Sequence, residues 1–309
     1  MSDPLVSIVT PCYRQARFLA DAIRCVQQQS YGHIEHVIVN DGSDDDTDNI
    51  VARSGGVRYV KQANAGLCAA RNAGIAAASG QYFLFLDADD LLAPEAIAWL
   101  IEAMDGRSDR LCVMGYRLFE SDPNRGEDRH LPSLPALPRL FFENLAPPHA
   151  YLCSRAMLDA AGGFDPGPKG CEDWDLWLRM VLSGCPLQTL GRIGAYYRRY
   201  SGSMSTDPEQ MELATIIVLS RAIERVRNDD RLLQQWGGQI NRMRRRVGRA
   251  NFDVGYHRAK RGAAKAAIGA YVQSIRYGFG LLPGLAGMAK ALVHAAKARY
   301  DLGPPQTAP

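Results

Sequence analysis

Residues 81–90, "QYFLFLDADD", run from large apolar side chains straight into the carboxylates Asp87, Asp89 and Asp90. The continuous apolar character of "QYFLFL" suits a strand covered on both faces. Acids packed this closely repel one another by about 1 kcal/mol per close pair in water, and by several times that near a protein surface. The crowding becomes useful where a cation belongs. Hard divalent ions such as Mg²⁺ and Mn²⁺ prefer oxygen ligands and reach substrate phosphates through one or two carboxylates. Two acids separated by the small Ala88 can share a metal or divide metal and sugar between them. The plainer alternative is a solvated loop that caps a helix starting near Pro94.

Upstream of this stretch, strand and helix patterns alternate. "LVSIVT" (5–10) is β-branched and apolar, and Pro11 predicts its end. Residues 17–29 place Phe18, Leu19, Ala22, Ile23, Cys25 and Val26 near helical spacing. "HIEHVIVNDGS" reads as a second strand closed by Asp-Gly turn chemistry, and a helix follows over 44–53 with acids near its positive end. "VRYVK" (57–61) is a third strand. The Ala-rich "NAGLCAARNAGIAAASG" is a helix, capped by Asn64 or a neighbour and ended by Gly80. This alternation predicts an α/β protein with a mostly parallel central sheet flanked by helices.

In such sheets ligands bind beyond the carboxyl ends of the strands, where three polar clusters fall. The first is Thr10, Pro11, Cys12 and Tyr13; an aromatic just past a strand end can stack on a planar base, or it is a surface tyrosine in a turn. The second is Asn40, Asp41, Gly42, Ser43, Asp44 and Asp45; a carboxylate there can accept hydrogen bonds from a base or ribose, while an acidic helix cap accounts for Asp44–Asp46. An EF-hand loop fails, because Gly42 is misplaced and no terminal Glu follows. The third cluster is the DADD already quoted. Dinucleotide-dependent redox chemistry needs GxGxxG after the first strand; "TPCYRQ" stands there instead. A sugar nucleotidyltransferase would want a Gly-rich phosphate loop at that point, and none is present.

Residues 120–148 carry six prolines and predict an irregular excursion or lid. "HAYLCSR" and "IGAYYRRY" read as further strands with the helix "EDWDLWLRMVLSG" between them. Beyond about Pro208 the pattern is helical to roughly residue 299.

The 309 residues are 47% hydrophobic and 22% charged, in the range of an ordinary globular protein. The start, "MSDPLVSIVTPCYR", has neither a basic nor a long apolar segment, so no secretory signal is expected. Seven scattered cysteines without a CxxC pair predict reduced thiols in a cytoplasmic compartment and no structural zinc. The net charge of +3 conceals a basic tail: residues 241–300 hold 13 Lys/Arg against the single acid Asp253. Its longest uncharged run, 13 residues between Arg276 and Lys290, is too short to span a membrane. Two readings follow: a helical extension that packs on the preceding domain or mediates self-association, or peripheral contact with anionic lipid at the inner face of the cell membrane. No nucleic-acid motif accompanies the charge.

"VSIVTPCYRQARFLADAIRCVQQQSY", "EHVIVNDGSDDDT", "NAGLCAARNAGIAAASGQYFLFLDADD" and "GGFD…EDWDLWLRM" resemble, in order over roughly residues 5–205, the family 2 glycosyltransferases of GT-A fold. The resemblance implies a catalytic domain over 1–206, with a nucleotide-binding half (1–105) and an acceptor-side half (106–206), followed by the basic helical region 207–309. It implies an inverting, metal-dependent transferase that moves a sugar from a nucleotide-sugar, UDP-linked, to a hydroxyl of a glycan or lipid-linked acceptor in polysaccharide or glycoconjugate synthesis. The alternative is a non-catalytic nucleotide- or glycan-binding relative.

By the same resemblance, Pro11, Tyr13 and Asp41 hold the base, with Thr10 beside them. Arg71 shapes the nucleotide-sugar pocket. Asp87 faces ribose or sugar, and Asp89, with Asp87, holds Mn²⁺ or Mg²⁺; Asp90 is a third acid with either a metal or a structural role. Asp173 is the catalytic base, with Glu172 as neighbour or alternative; acids in a first helical turn are the plainer account. Trp174 and Trp177 either line an acceptor sugar or are buried by their helix. "AYYRRYSGSMS" departs from the family, which often has a histidine where Tyr200 stands. Arg198, Arg199 and Ser203 can still reach the diphosphate, and His149 is either a substitute ligand or, as a lone histidine more often is, structural.

Overall fold

The computed structural model describes residues 3–131, 136–200 and 207–301, with side chains described up to residue 293 and from 138 in the second stretch. The chain divides into two compact units. One runs to Pro166 and resumes at Glu172; the other takes Gly167–Cys171 and the chain beyond the 201–206 segment.

The first unit is built on a nine-stranded sheet. Its first half alternates as the sequence predicts: β1 (Val6–Cys12), α1 (Ala16–Gln27), β2 (Ile34–Asp41), α2 (Thr47–Arg53), β3 (Val57–Gln62), α3 (Leu67–Ala77) and β4 (Tyr82–Phe85). The second half contains β5 (Leu91–Leu92), α4 (Ala96–Met104), β6 (Leu111–Phe119), β7 (Gly126–Arg129), α5 (Ala136–Leu140), β8 (Tyr151–Ser154), α6 (Arg155–Ala161), α7 (Glu172–Leu182) and β9 (Leu187–Arg198). The strand order is β3-β2-β1-β4-β8-β6-β9-β5, with β7 on the side of β6. Strands β3, β2, β1 and β4 are parallel, whereas β8 joins β4 and β6 antiparallel and β6 pairs β9 in parallel. The sheet is therefore parallel where the three polar clusters lie and mixed beyond.

Burial follows from composition. Every residue of β1 and β4 is buried, as strands covered by helices on both faces require. Helix α1 turns Ala16, Leu19, Ala22, Ile23 and Val26 inward, an i, i+3, i+4 stripe. Helix α3 lies so close to β1 that a Cβ at Gly74 would meet Val9 Cγ1 at 2.2 Å.

Several local expectations are corrected. Strand β1 runs through Pro11 to Cys12, because β4 pairs it only as far as Val9 and leaves that edge without a ladder partner needing the missing N–H. Helix α3 starts after Gly66 without a side-chain cap; Asn64 instead donates to the Asp41 carbonyl at 3.0 Å. The 120–148 excursion contains β7 and α5, with residues 132–135 outside the described ones. All seven cysteines are free thiols.

The second unit is helical: α8 (Pro208–Arg227), α9 (Asp230–Trp236), α10 (Ile240–Lys260), α11 (Ala264–Arg276) and α12 (Leu281–Asp301). Asp207 and Asp229 cap α8 and α9 through their carboxylates. Arg258 and Arg246 of α10 pair with Glu209 and Glu212 of α8, each at 2.8 Å. Among the described residues no helix is long and apolar enough to cross a membrane.

Candidate active site

The parallel half of the sheet delivers its polar residues to one edge. At the end of β1 Tyr13 is 42% exposed, and Arg14 adopts a left-handed φ of 53° that turns the chain into α1. The Arg14 guanidinium clasps both Asp44 oxygens at 2.8 Å, and Arg14 N donates to Ser43 Oγ at 3.1 Å, so the first and second loops are tied together. Asp45 accepts from Ala16 N at 2.9 Å and Thr47 Oγ1 at 2.5 Å, which makes it a structural cap.

Asp41, at the end of β2, is buried. Its carboxylate accepts from Gln62 Nε2 at 2.7 Å and from Ala65 N and Gly66 N at 2.9 Å. It thereby shapes the loop that enters α3. Thr10 is buried within the sheet, and its hydroxyl stands 2.9 Å from His36 Nε2.

The acids beyond β4 divide their roles. Asp87 Oδ1 accepts from Arg71 Nη2 at 2.7 Å, with the Asp87 side chain 26% exposed and Arg71 buried. Asp89 Oδ2 accepts from the Tyr200 hydroxyl at 2.9 Å, and Gln15 Nε2 donates to that hydroxyl at 2.9 Å. Burial, and next the Asp87 charge, push the Asp89 pKa up. Asp90 is fully enclosed: Oδ1 accepts from Arg198 N at 2.7 Å, and Oδ2 lies 3.2 Å from His149 Nδ1. Burial drives the Asp90 carboxyl pKa well up and that of His149 down to about 4. Asp90 and His149 thus face each other inside the fold, both side chains buried.

Arg198 lies against the same loop. Its Nε donates to the Asp89 carbonyl at 2.8 Å and its guanidinium lies over Phe18 and Phe119, at 4.8 and 4.5 Å. These contacts use it to fix the DADD loop from below. Arg199 is exposed, and Ser203 lies outside the described residues.

Asp89, Asp87 and their surroundings fit a divalent cation. The donors are all oxygen, two carboxylates are a sufficient protein share for Mg²⁺ or Mn²⁺ completed by phosphates, and a cation would offset the burial and the Asp87 charge that raise the Asp89 pKa. Among the described residues no cluster of three or more His, Cys, Asp or Glu offers an all-protein cage.

From the second half of the unit, α7 brings Glu172 and Asp173, both buried, in its first turn. Asp173 Oδ2 accepts from Asn144 Nδ2 at 2.8 Å, and Oδ1 accepts from Trp174 N at 2.8 Å. Burial pushes the Asp173 pKa up to about 6, against the opposing pull of the Arg71 charge. Arg71 is therefore the common counter-charge of the DADD loop and of α7: Asp87, Asp173 and Glu172 all act on it. Its guanidinium also lies 5.0 Å over the Phe164 ring. Phe164 is held by Asn72, which accepts from its N–H and donates to its carbonyl, each at 2.9 Å. Trp174 and Trp177 are core residues; Trp174 Nε1 donates to the Leu140 carbonyl at 2.7 Å, and Trp177 stacks on Tyr151 at 4.6 Å. Asn144 went unread in the sequence. Its only signal is a polar side chain inside the apolar run "FFENLAPP".

The model of the family described as "Glycosyl transferase family 2" matches residues 7–159. A putative teichuronic acid biosynthesis glycosyltransferase, TuaG, of Bacillus subtilis (strain 168) is 28% identical over 233 residues, covering 72% of this chain and 90% of its own. An uncharacterised glycosyltransferase of Rickettsia prowazekii (strain Madrid E) is 30% identical over 187 residues, but the match spans only 58% of that relative's length. Among solved structures, S. aureus TarS 1–349 in complex with UDP superposes with a TM-score of 0.66 at 15% identity, covering 98% of this chain and 93% of that one. The mannosyltransferase PcManGT of Pyrobaculum calidifontis, in complex with GDP-Man and Mn²⁺, gives 0.61 at 16% identity, covering 97% and 88%. These two likenesses establish the GT-A fold. Residues 7–159, just under half of the chain, are similar to glycosyl transferase family 2.

Proposed function

We propose that this protein is an inverting, metal-dependent glycosyltransferase that moves a sugar from a UDP-sugar to a hydroxyl of a glycan or lipid-linked acceptor during cell-envelope glycan synthesis. The observation that carries the reading is the buried Arg71, which is ion-paired to Asp87 of the DADD loop and is also the counter-charge of Asp173. The relatives' names support the pathway, and the complexes with UDP and with GDP-Man and Mn²⁺ support the donor class.

In this account Tyr13 stacks on the base, and Asp41 and the loop it holds border the base and ribose. Asp87 and Asp89 would hold Mn²⁺ or Mg²⁺, whose chemistry when bound is to stabilise negative charge on the leaving diphosphate. Asp173, ionised above about pH 6, takes the proton of the acceptor hydroxyl as that oxygen attacks the anomeric carbon. The new C–O bond forms as the bond to the diphosphate oxygen breaks. The electron pair leaves with the nucleoside diphosphate, and the anomeric configuration inverts. Asn144 and Trp174 N keep the carboxylate aimed while Glu172 stands beside it.

Asp173→Asn tests the assignment, because it retains the shape and removes the base. The reading expects donor binding within a factor of about three of wild type and transfer reduced by about 10²–10⁴. Unchanged transfer would overturn it, and a wild type that binds donor without turnover on any acceptor would indicate a binding protein. For the basic helical unit the reading adds peripheral contact with an anionic lipid surface on the cytoplasmic side; self-association is the competing outcome.

A further inference from the structure

Five of the eight large apolar side chains that stand exposed among the described residues belong to α12: Leu281, Leu282, Leu285, Leu292 and Val293. Leu282 is 79% exposed and Leu281 59%. The other face of the helix is committed to packing. Gly284, Gly287 and Ala291 are buried, and a Cβ at Gly287 would meet the Tyr271 ring at 2.6 Å. Small residues thus seat α12 on α11 and turn its leucines outward. From Leu281 to Val293 the only charged residue is Lys290.

A cavity of about 520 Å³ opens in the same unit between α8, α10 and α11, with Arg227, Arg244 and Arg276 on its wall beside Gln273 and Tyr277. Its volume is in the range of small-molecule sites. Arg246 and Arg249 of α10 are answered by Glu212 and Asp253. The one carboxylate among the described lining residues of the cavity is Glu224. Part of the positive charge has a structural use. Arg227 and Arg276 end α8 and α11, and Arg244 Nη2 donates to the Arg276 carbonyl at 3.3 Å. Each helix end supplies only about half a negative charge, so with Glu224 included about one positive charge stays uncompensated. Leu281 follows the lining residue Tyr277 by four residues, a span of at most about 14 Å.

We propose that this cavity takes the phosphate of an anionic lipid headgroup while the leucines at the start of α12 enter the acyl region beside it. Three guanidinium forks suit a phosphate, and an apolar helix face flanked by cations lies in the interface rather than across it. The proposal deepens the lipid contact offered above and is independent of the transferase reading, because every residue it uses lies in the helical unit.

Co-sedimentation of the full chain with vesicles tests it, using phosphatidylcholine alone and phosphatidylcholine mixed with phosphatidylglycerol. Binding is expected to the mixed vesicles only and to weaken as salt is raised. Arg227→Gln with Arg276→Gln should weaken it about thirtyfold, from roughly 1 kcal/mol per cation at an anionic surface. Leu282→Asp with Leu285→Asp should abolish vesicle binding but leave calorimetric binding of glycerol phosphate intact; both leucines are exposed, and circular dichroism checks the fold. Vesicle binding unaffected by the leucine changes would overturn the proposal. So would binding of glycerol phosphate by a chain that ignores vesicles, which would identify a soluble phosphate as the ligand. A dimer in solution that Leu282→Asp dissociates, with no vesicle binding, would show that a second copy covers the face and would equally overturn it. Because transfer is not among the readouts, failure here leaves the catalytic assignment standing.

Discussion

Arg71 Nη2 lies 2.7 Å from Asp87 Oδ1, and the same buried guanidinium is the counter-charge that pulls against the raised pKa of Asp173. One cation therefore couples the donor edge of the sheet to the first turn of α7. Removing it leaves carboxylates uncompensated at both places. Arg71→Met is expected to destabilise the fold by about 3–5 kcal/mol, the cost of breaking a buried ion pair from one side. Urea denaturation measures this, and a loss under 1 kcal/mol would contradict it.

The pH dependence follows from Asp173. Its pKa in the folded chain is about 6, above the ordinary 3.8, because burial disfavours the ionised form. A group with a raised pKa adds stability that is complete below the unfolded value and is lost as pH rises through the folded one. Asp173 accordingly costs stability at pH 8 and not at pH 3.5. Asp173→Asn should therefore raise Tm relative to wild type at pH 8, an advantage that fades toward pH 4. Transfer by the wild type should fall about tenfold per pH unit below about 6. Equal Tm differences at the two pH values would refute the burial argument.

Asn144 donates to Asp173 Oδ2 and favours its ionised form. Asn144→Leu should move the acid limb of the kcat/KM profile upward and lower kcat by about tenfold, because the carboxylate loses one of its two fixed contacts. A profile superimposable on the wild type would show the contact to be incidental.

The Tyr200 hydroxyl meets Asp89 Oδ2 at 2.9 Å. Tyr200→Phe should weaken Mn²⁺ binding about tenfold, as loss of an orienting contact to a ligand does. Calorimetric titration of Mn²⁺ in the presence of UDP reads this directly.

Gly74 offers a check on packing. Alanine is normally favoured in a helix by about 1 kcal/mol over glycine, but here the added Cβ would lie 2.2 Å from Val9 Cγ1. Overpacking outweighs propensity, and Gly74→Ala should destabilise by about 1–3 kcal/mol in the same urea experiment.

The parallel half of the fold was legible because β1, β2 and β4 carry buried apolar runs and each is followed by a polar cluster. The mixed half was less so. Strand β6 was not read, although Leu111–Met114 is a buried apolar run, because no polar motif marks its end. Within the candidate site, Asp87 and Asp173 were singled out by position alone, and the fold sets both against Arg71. The site was not legible where side-chain direction decides. Residues of β1 are buried on both faces, so no alternation showed that Thr10 turns to His36. Arg198 likewise ends a strand beside the DADD loop but spends its donors on backbone carbonyls. Asn144 reaches Asp173 across 29 positions of chain, a contact that only the fold creates.

The most direct test of the central claim is calorimetric titration of UDP into wild type and Asp89→Ala, each with and without Mn²⁺. The account predicts micromolar binding to the wild type with Mn²⁺ and a loss of about 10²-fold or more when either the metal or the Asp89 carboxylate is removed. Equal UDP affinity in all four titrations would contradict it.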